Sequence, residues 1–156
     1  MFMYAILAVG LVIASVALFG LLYTPPGEEE EGAVRVGAID VYLQPTCGCC
    51  HLYMEYLRGH GFDVTAHAMA DLAATKAHHG IPRVMQSCHT AVWGPYFVEG
   101  HVPMAALSKL VEEGPVIEGI ALPGMPAGSP GMGGVKGAPL VIYALVGGQA
   151  TVFMEL

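Results

Sequence analysis

Basic side chains are scarce in this chain: six Lys and Arg stand against thirteen Asp and Glu, giving a formal net charge of −7. A nucleic-acid binder needs a basic footprint to neutralise phosphates, so this balance argues against nucleic acid as a partner. Charge of either sign is missing altogether from the first 23 residues. No Lys or Arg precedes that apolar run, and the small pair at cleavage-site spacing, Ser15 and Ala17, lies inside it. Without a basic leader and an exposed small-x-small site, a cleaved signal peptide is disfavoured. Nor is any internal repeat visible.

What is present at the N-terminus is a run from Phe2 to Tyr23. At about 1.5 Å per residue it just crosses a hydrocarbon core of about 30 Å. Residues 1–23 are therefore expected to be a transmembrane anchor, a helix that associates the chain with the membrane. With the N-terminus inside, the remaining domain faces the periplasm or another extracytoplasmic space. Pro25-Pro26-Gly27 and the acidic run Glu28 to Glu31 make residues 24–33 a hydrated linker. Residues 34–156 are long enough for one domain, since domains commonly run to about 100–150 residues.

Within that domain, Val34 to Leu43 alternates loosely and reads as a strand. A helix over Leu52 to Arg58 places Leu52, Tyr53, Tyr56 and Leu57 on one side. Phe62 to Ala68 is a second strand, and Asp71 to His79 a short helix stopped by Gly80. Thr90–Trp93 and Tyr96–Val98 form a hairpin about Gly94-Pro95. Pro103 opens a third helix that buries Ala106, Leu107, Leu110 and Val111. Gly119 to Pro139 reads as one long Gly- and Pro-rich loop. Leu140–Val146 and Ala150–Met154 then make a closing hairpin around Gly147-Gly148. The order β-α-β-α-β-β-α indicates an α/β, thioredoxin-like sandwich with an extra C-terminal β-hairpin.

Cysteine is also sparse, four in all, yet three fall within four residues, Cys47, Cys49 and Cys50. A disulfide scaffold spreads its cysteines along the chain, and adjacent Cys49 and Cys50 do not bridge each other without strain. The cluster lies between a strand and a helix, where unpaired N–H groups and a partial positive charge favour thiolate. Two chemistries remain open. Cys47 and Cys50 form a C-x-x-C pair suited to thiol–disulfide exchange, with Cys47 as nucleophile and Cys50 as resolving thiol. Cys49 is a hindrance to that reading, because a third thiol scrambles the pair. A soft-metal site instead uses all three, and copper(I) prefers thiolates that bridge several ions, while the adjacent pair suits tetrahedral zinc poorly.

Cys88, next to His89 and leading into a strand, is the fourth candidate ligand. His101, ahead of the third helix, is another, with His51, Met125 and Met132 as lesser ones. His60, His67, His78 and His79 read as ordinary surface or helix-end residues.

Taken in order, Pro45-Thr46-Cys47-Gly48-Cys49-Cys50, Ser87-Cys88-His89-Thr90-Ala91, Glu99-Gly100-His101-Val102-Pro103, Leu122-Pro123-Gly124-Met125-Pro126 and Gly128-Ser129-Pro130-Gly131-Met132 closely resemble the CopG-type copper-resistance proteins. The resemblance runs from about Asp40 to Met132. It implies a thioredoxin-like, extracytoplasmic protein of copper or silver resistance or delivery. It also implies copper(I) held as a cysteine-bridged multinuclear cluster, with several ions per chain. By matching motif the ligands are Cys47, Cys49, Cys50 and Cys88, with His89 and His101 near them. Copper-exporting or copper-carrying proteins are the implied partners. On this reading Cys88 should lie within roughly 4–7 Å of a sulfur in the Cys47–Cys50 turn, given thiolate–metal distances of about 2.3 Å.

Overall fold

Ile39, Val41 and Leu43 point inward while Ala38, Asp40 and Tyr42 are more exposed, and this period of two makes β1 (Gly37–Leu43) a half-buried strand. The computed structural model describes residues 36–156. The expected anchor (1–23) and linker (24–33) lie outside the described residues. No helix among the described residues is long and apolar enough to cross a membrane.

β1 pairs in parallel with β2 (Phe62–Ala68) and antiparallel with β3 (His89–Trp93). β3 turns at Gly94-Pro95 into β4 (Tyr96–Glu99), its antiparallel neighbour. β5 (Gly119–Ala121) runs parallel to β4, and β6 (Val141–Val146) antiparallel to β5. β7 (Gln149–Glu155) completes the C-terminal hairpin with β6, closed by Gly147 and Gly148 at φ 58° and 80°. The result is a mixed seven-stranded sheet in the order β2-β1-β3-β4-β5-β6-β7.

Among the described residues, three α-helices accompany the sheet, α1 (Gly48–Gly59), α2 (Ala73–His78) and α3 (Met104–Glu113), with a 3₁₀ turn at Arg83–Met85. α2 starts two residues after Asp71, whose carboxylate accepts the Ala73 N–H at 2.9 Å. α3 follows Pro103 and ends at Gly114, which takes the left-handed conformation at φ 52°. Neighbouring residues of β4, β5 and β6 divide between two apolar clusters, as alternation across a sheet requires. Val98, Ile120 and Ala144 join Leu43, Tyr53, Leu57 and Leu107 in one, and Phe97, Ala121 and Leu145 join Ile81 and Met85 in the other.

Three local expectations need correction. α1 begins at Gly48, ahead of the Leu52 start read from apolar spacing, and buries Cys50, Tyr53, Met54 and Leu57. Leu52 is consequently 59 % exposed, and in α3 Val111 is 55 % exposed, because each lies just outside the stripe that faces the sheet. The first three residues of the Gly/Pro-rich loop are the buried strand β5. Three residues are too few to show a period. Gly119 permits that strand because a Cβ there would stand 2.2 Å from the Phe97 carbonyl oxygen.

Candidate metal centre

The antiparallel register sets Leu43, the last residue of β1, opposite His89, the first of β3. The chain leaving β1 and the chain entering β3 therefore meet at one edge, although they are far apart in sequence. Leaving β1, the backbone closes a turn through the Cys47 N–H to the Gln44 carbonyl at 3.0 Å. Cys47 is the N-cap of α1, while Cys49 and Cys50 lie in its first turn. Cys88 comes in from the other side, and its carbonyl lies 3.9 Å from Cys50 Sγ. The sulfurs of Cys47, Cys49, Cys50 and Cys88 all lie within 4.8 Å of one another.

Two of those sulfurs are bonded. Cys47 and Cys50 form a disulfide, and Cys49 and Cys88 are free thiols. Cys49 Sγ sits 3.5 Å from Cys47 Sγ, the position of a third thiol beside a redox pair. In this state two of the four expected ligands, Cys49 and Cys88, stand as thiols. The fold brings all four sulfurs together, but only a two-electron reduction of Cys47–Cys50 makes all four available as thiolates. Burial, and then the neighbouring Cys49, push the Cys88 thiol up to about 11.

Both histidines beside this cluster are fully buried. His101 Nδ1 pairs with the Pro130 carbonyl at 2.6 Å, a contact that puts the proton on Nδ1 and turns the Nε2 lone pair to Cys88 Sγ at 3.1 Å. His89 Nδ1 lies 3.4 Å from the same sulfur, and His89 Nε2 has no hydrogen-bond partner among the described residues. Burial, then the neighbouring His101 and Lys76, lower the His89 pKa to about 3, and burial also lowers that of His101. Cys88, His89 and His101 make a second set whose donor atoms converge within 4.8 Å.

His51 is exposed and turned to the Pro45 carbonyl at 3.1 Å. Met125 is also exposed. His60 bonds the Tyr56 carbonyl, and His67 pairs with Asp40 at 2.6 Å while stacking on Tyr42. His78 and His79 close α2, and burial lowers the His79 pKa, with its neighbour His78 adding to the effect.

The residues from Leu122 to Pro139 form a strap across the centre. The Ser87 hydroxyl donates to the Gly124 carbonyl, and the Gly124 N–H donates to the Gln86 carbonyl at 3.2 Å. Pro130 receives His101, and Gly131 packs on the backbone of α1 beside Cys49 and Tyr53. A cavity of about 320 Å³ opens next to Cys47 and Cys88, with Gln44, Asp71, Lys76 and Gln86 in its walls.

Sequence reasoning missed one cluster. Lys76 and Glu99 form a buried ion pair completed by Thr90, directly behind Ser87 and Cys88. Burial raises the Glu99 pKa, opposed by Lys76 and its hydrogen bonds. The available signal was a carboxylate at the end of the apolar run Phe97-Val98, since an unpaired charge is rarely buried.

This arrangement supports two chemistries. As a disulfide beside two free thiols, it is competent for thiol–disulfide exchange. Once reduced, it is a compact set of soft sulfur donors with imidazoles alongside, suited to soft metal ions. A family described as a protein of unknown function, DUF411, matches residues 85–132, the stretch from Met85 through Cys88, His89 and His101 to Met132. No curated protein matches the chain. Two solved structures do, both titled copper resistance protein CopG. Form 2 is 45 % identical with a TM-score of 0.71, covering 76 % of this chain and 97 % of that one. Form 1 is 45 % identical with a TM-score of 0.70, covering 76 % of this chain and 96 % of that one. With that identity running over nearly the whole length of both structures, the chain belongs to the CopG-type copper-resistance family.

Proposed function

We infer that this protein is an extracytoplasmic copper(I)-binding protein serving copper or silver resistance or delivery. Its cargo is held as a multinuclear site bridged by Cys47, Cys49, Cys50 and Cys88, with His89 and His101 alongside. The observation that carries this reading is the convergence of four sulfurs within 4.8 Å from two separate segments. Four thiolates at that spacing suit bridging between several copper(I) ions, where a lone ion needs only two or three sulfurs. The copper-resistance titles of both relatives support the choice of metal. The strand order β2-β1-β3-β4 with its helices supports a thioredoxin-like core, extended by β5 to β7. The apolar segment 1–23 supports a membrane anchor, and copper-exporting or copper-carrying proteins are the natural partners of such a cargo.

A second reading is favoured by the Cys47–Cys50 disulfide: a thiol–disulfide oxidoreductase. One experiment separates the two. The full-length chain is reduced anaerobically and titrated with copper(I) against a colorimetric chelator, and its insulin reductase rate is measured in parallel. We expect more than one copper(I) per reduced chain, fewer in the disulfide form, and only slow insulin reduction. Cys49→Ser should then cut copper capacity. Saturation at one equivalent or less removes the multinuclear site. Insulin reduction at thioredoxin-like rates, preserved in Cys49→Ser, establishes the oxidoreductase instead.

A further inference from the structure

The buried charges behind Cys88 have no role in the site as described so far. Glu99 ends β4 and is fully buried, and Thr90 lies opposite it in the β3–β4 register. Glu99 Oε1 accepts from Lys76 Nζ and from the Ser87 N–H at 2.5 Å, while Oε2 accepts from Thr90 Oγ1 at 2.6 Å. Lys76 Nζ also donates to Thr90 Oγ1 at 3.1 Å. Both carboxylate oxygens are engaged, so Glu99 is no metal ligand.

Replacing a buried ion pair by apolar groups of similar volume is often neutral or stabilising, so stability alone gives no reason for this one. Its position gives a reason. Among the described residues, the one backbone group it grips is the N–H of Ser87, the residue before Cys88. Gly100 closes on the same residue from the other side. At φ 75°, its Cβ would stand 2.6 Å from both Ser87 Cβ and the Leu122 carbonyl oxygen. The Ser87 hydroxyl is tied in turn to Gly124 in the strap. Cys88 thus lies between this clamped residue and His89, the first residue of β3.

We propose that Lys76, Glu99 and Thr90 are positioning residues: they hold the Ser87-Cys88 segment so that the Cys88 sulfur meets the sulfurs of the Cys47–Cys50 turn. This deepens the copper(I) reading and rests on it. Loss of such supporting contacts to a metal site typically costs about 10- to 100-fold in affinity.

The test uses the full-length chain carrying Glu99→Gln, and separately Lys76→Met with Glu99→Gln, which leaves no uncompensated charge. In the reduced chain, each should weaken copper(I) affinity by about 10- to 100-fold by chelator competition. In a Cys88→Ser background, the same changes should cause no further loss, because the sulfur they position is gone. A second readout needs no copper. With Cys49→Ser and the disulfide intact, Cys88 is the single free thiol, and Glu99→Gln should speed its alkylation, because the segment that half-buries the sulfur opens more readily. Wild-type affinity in a folded double variant overturns the proposal, as does an equal penalty with and without Cys88. If the unmodified chain binds no copper(I), the functional reading fails by itself, and the alkylation rate alone decides the positioning role: an unchanged rate rejects it.

Discussion

His89 carries an unusual burden for a single side chain. It opens β3 fully buried, one ring nitrogen near Cys88 Sγ and the other, Nε2, without a hydrogen-bond partner among the described residues. Its pKa falls to about 3 in the folded chain, through burial and then the neighbouring His101 and Lys76, from an ordinary 6.5 when unfolded. The folded state therefore holds this proton less tightly. The stability conferred by a neutral His89 is complete above pH 6.5 and is lost as pH falls towards 3. In the metal-free disulfide form, His89→Gln should flatten the fall of the urea midpoint between about pH 6.5 and 4. Parallel curves for the two chains would assign the acid sensitivity elsewhere. His89 was legible in the sequence because it adjoins Cys88. Lys76 and Glu99 were not, because their pairing depends on the Thr90–Glu99 register and on where α2 lands.

At the scale of elements, the long strands declared themselves by alternation and the closing hairpin by Gly147-Gly148. The start of α1 was hidden, since Cys-Gly-Cys-Cys has no apolar period of its own. β5 was hidden by its shortness inside a glycine- and proline-rich stretch. The strap following β5 shows why such a stretch resists reading: its conformation is fixed by what it touches. Gly131, at φ 76°, brings the strap so close to α1 that a Cβ would lie 2.7 Å from the Tyr53 nitrogen and 3.1 Å from the Cys49 carbonyl oxygen. Gly131→Ala should therefore lift the strap and loosen the His101–Pro130 contact, at a cost of roughly 1–3 kcal/mol from backbone strain. Faster proteolysis within residues 122–139, with β1 and β2 still protected from hydrogen exchange, is the expected signature. Unchanged proteolysis would mean that the strap is held independently of α1.

For the whole molecule, the meeting of Cys88 with the Cys47–Cys50 turn follows from sheet topology, because β3 is the antiparallel neighbour of β1. The motifs identified the sulfurs, while the sheet order supplied their proximity. That proximity has an electrostatic consequence. The chain has a formal charge of −7. Among the described residues lining the cavity beside Cys47 and Cys88, the one cation is Lys76, already bound to Glu99. Burial and the neighbouring Cys49 already hold Cys88 protonated up to about pH 11. On the proposed copper(I) reading, an ion that binds Cys88 as thiolate therefore drives out its proton. Loading becomes an ion exchange. A weakly buffered, reduced sample should acidify as copper(I) is added, and copper affinity should climb steadily with pH through the neutral range. Copper uptake with no measurable acidification would mean that the thiolates were already free. A chain that takes up its cargo this way releases it most readily where its surroundings turn acidic.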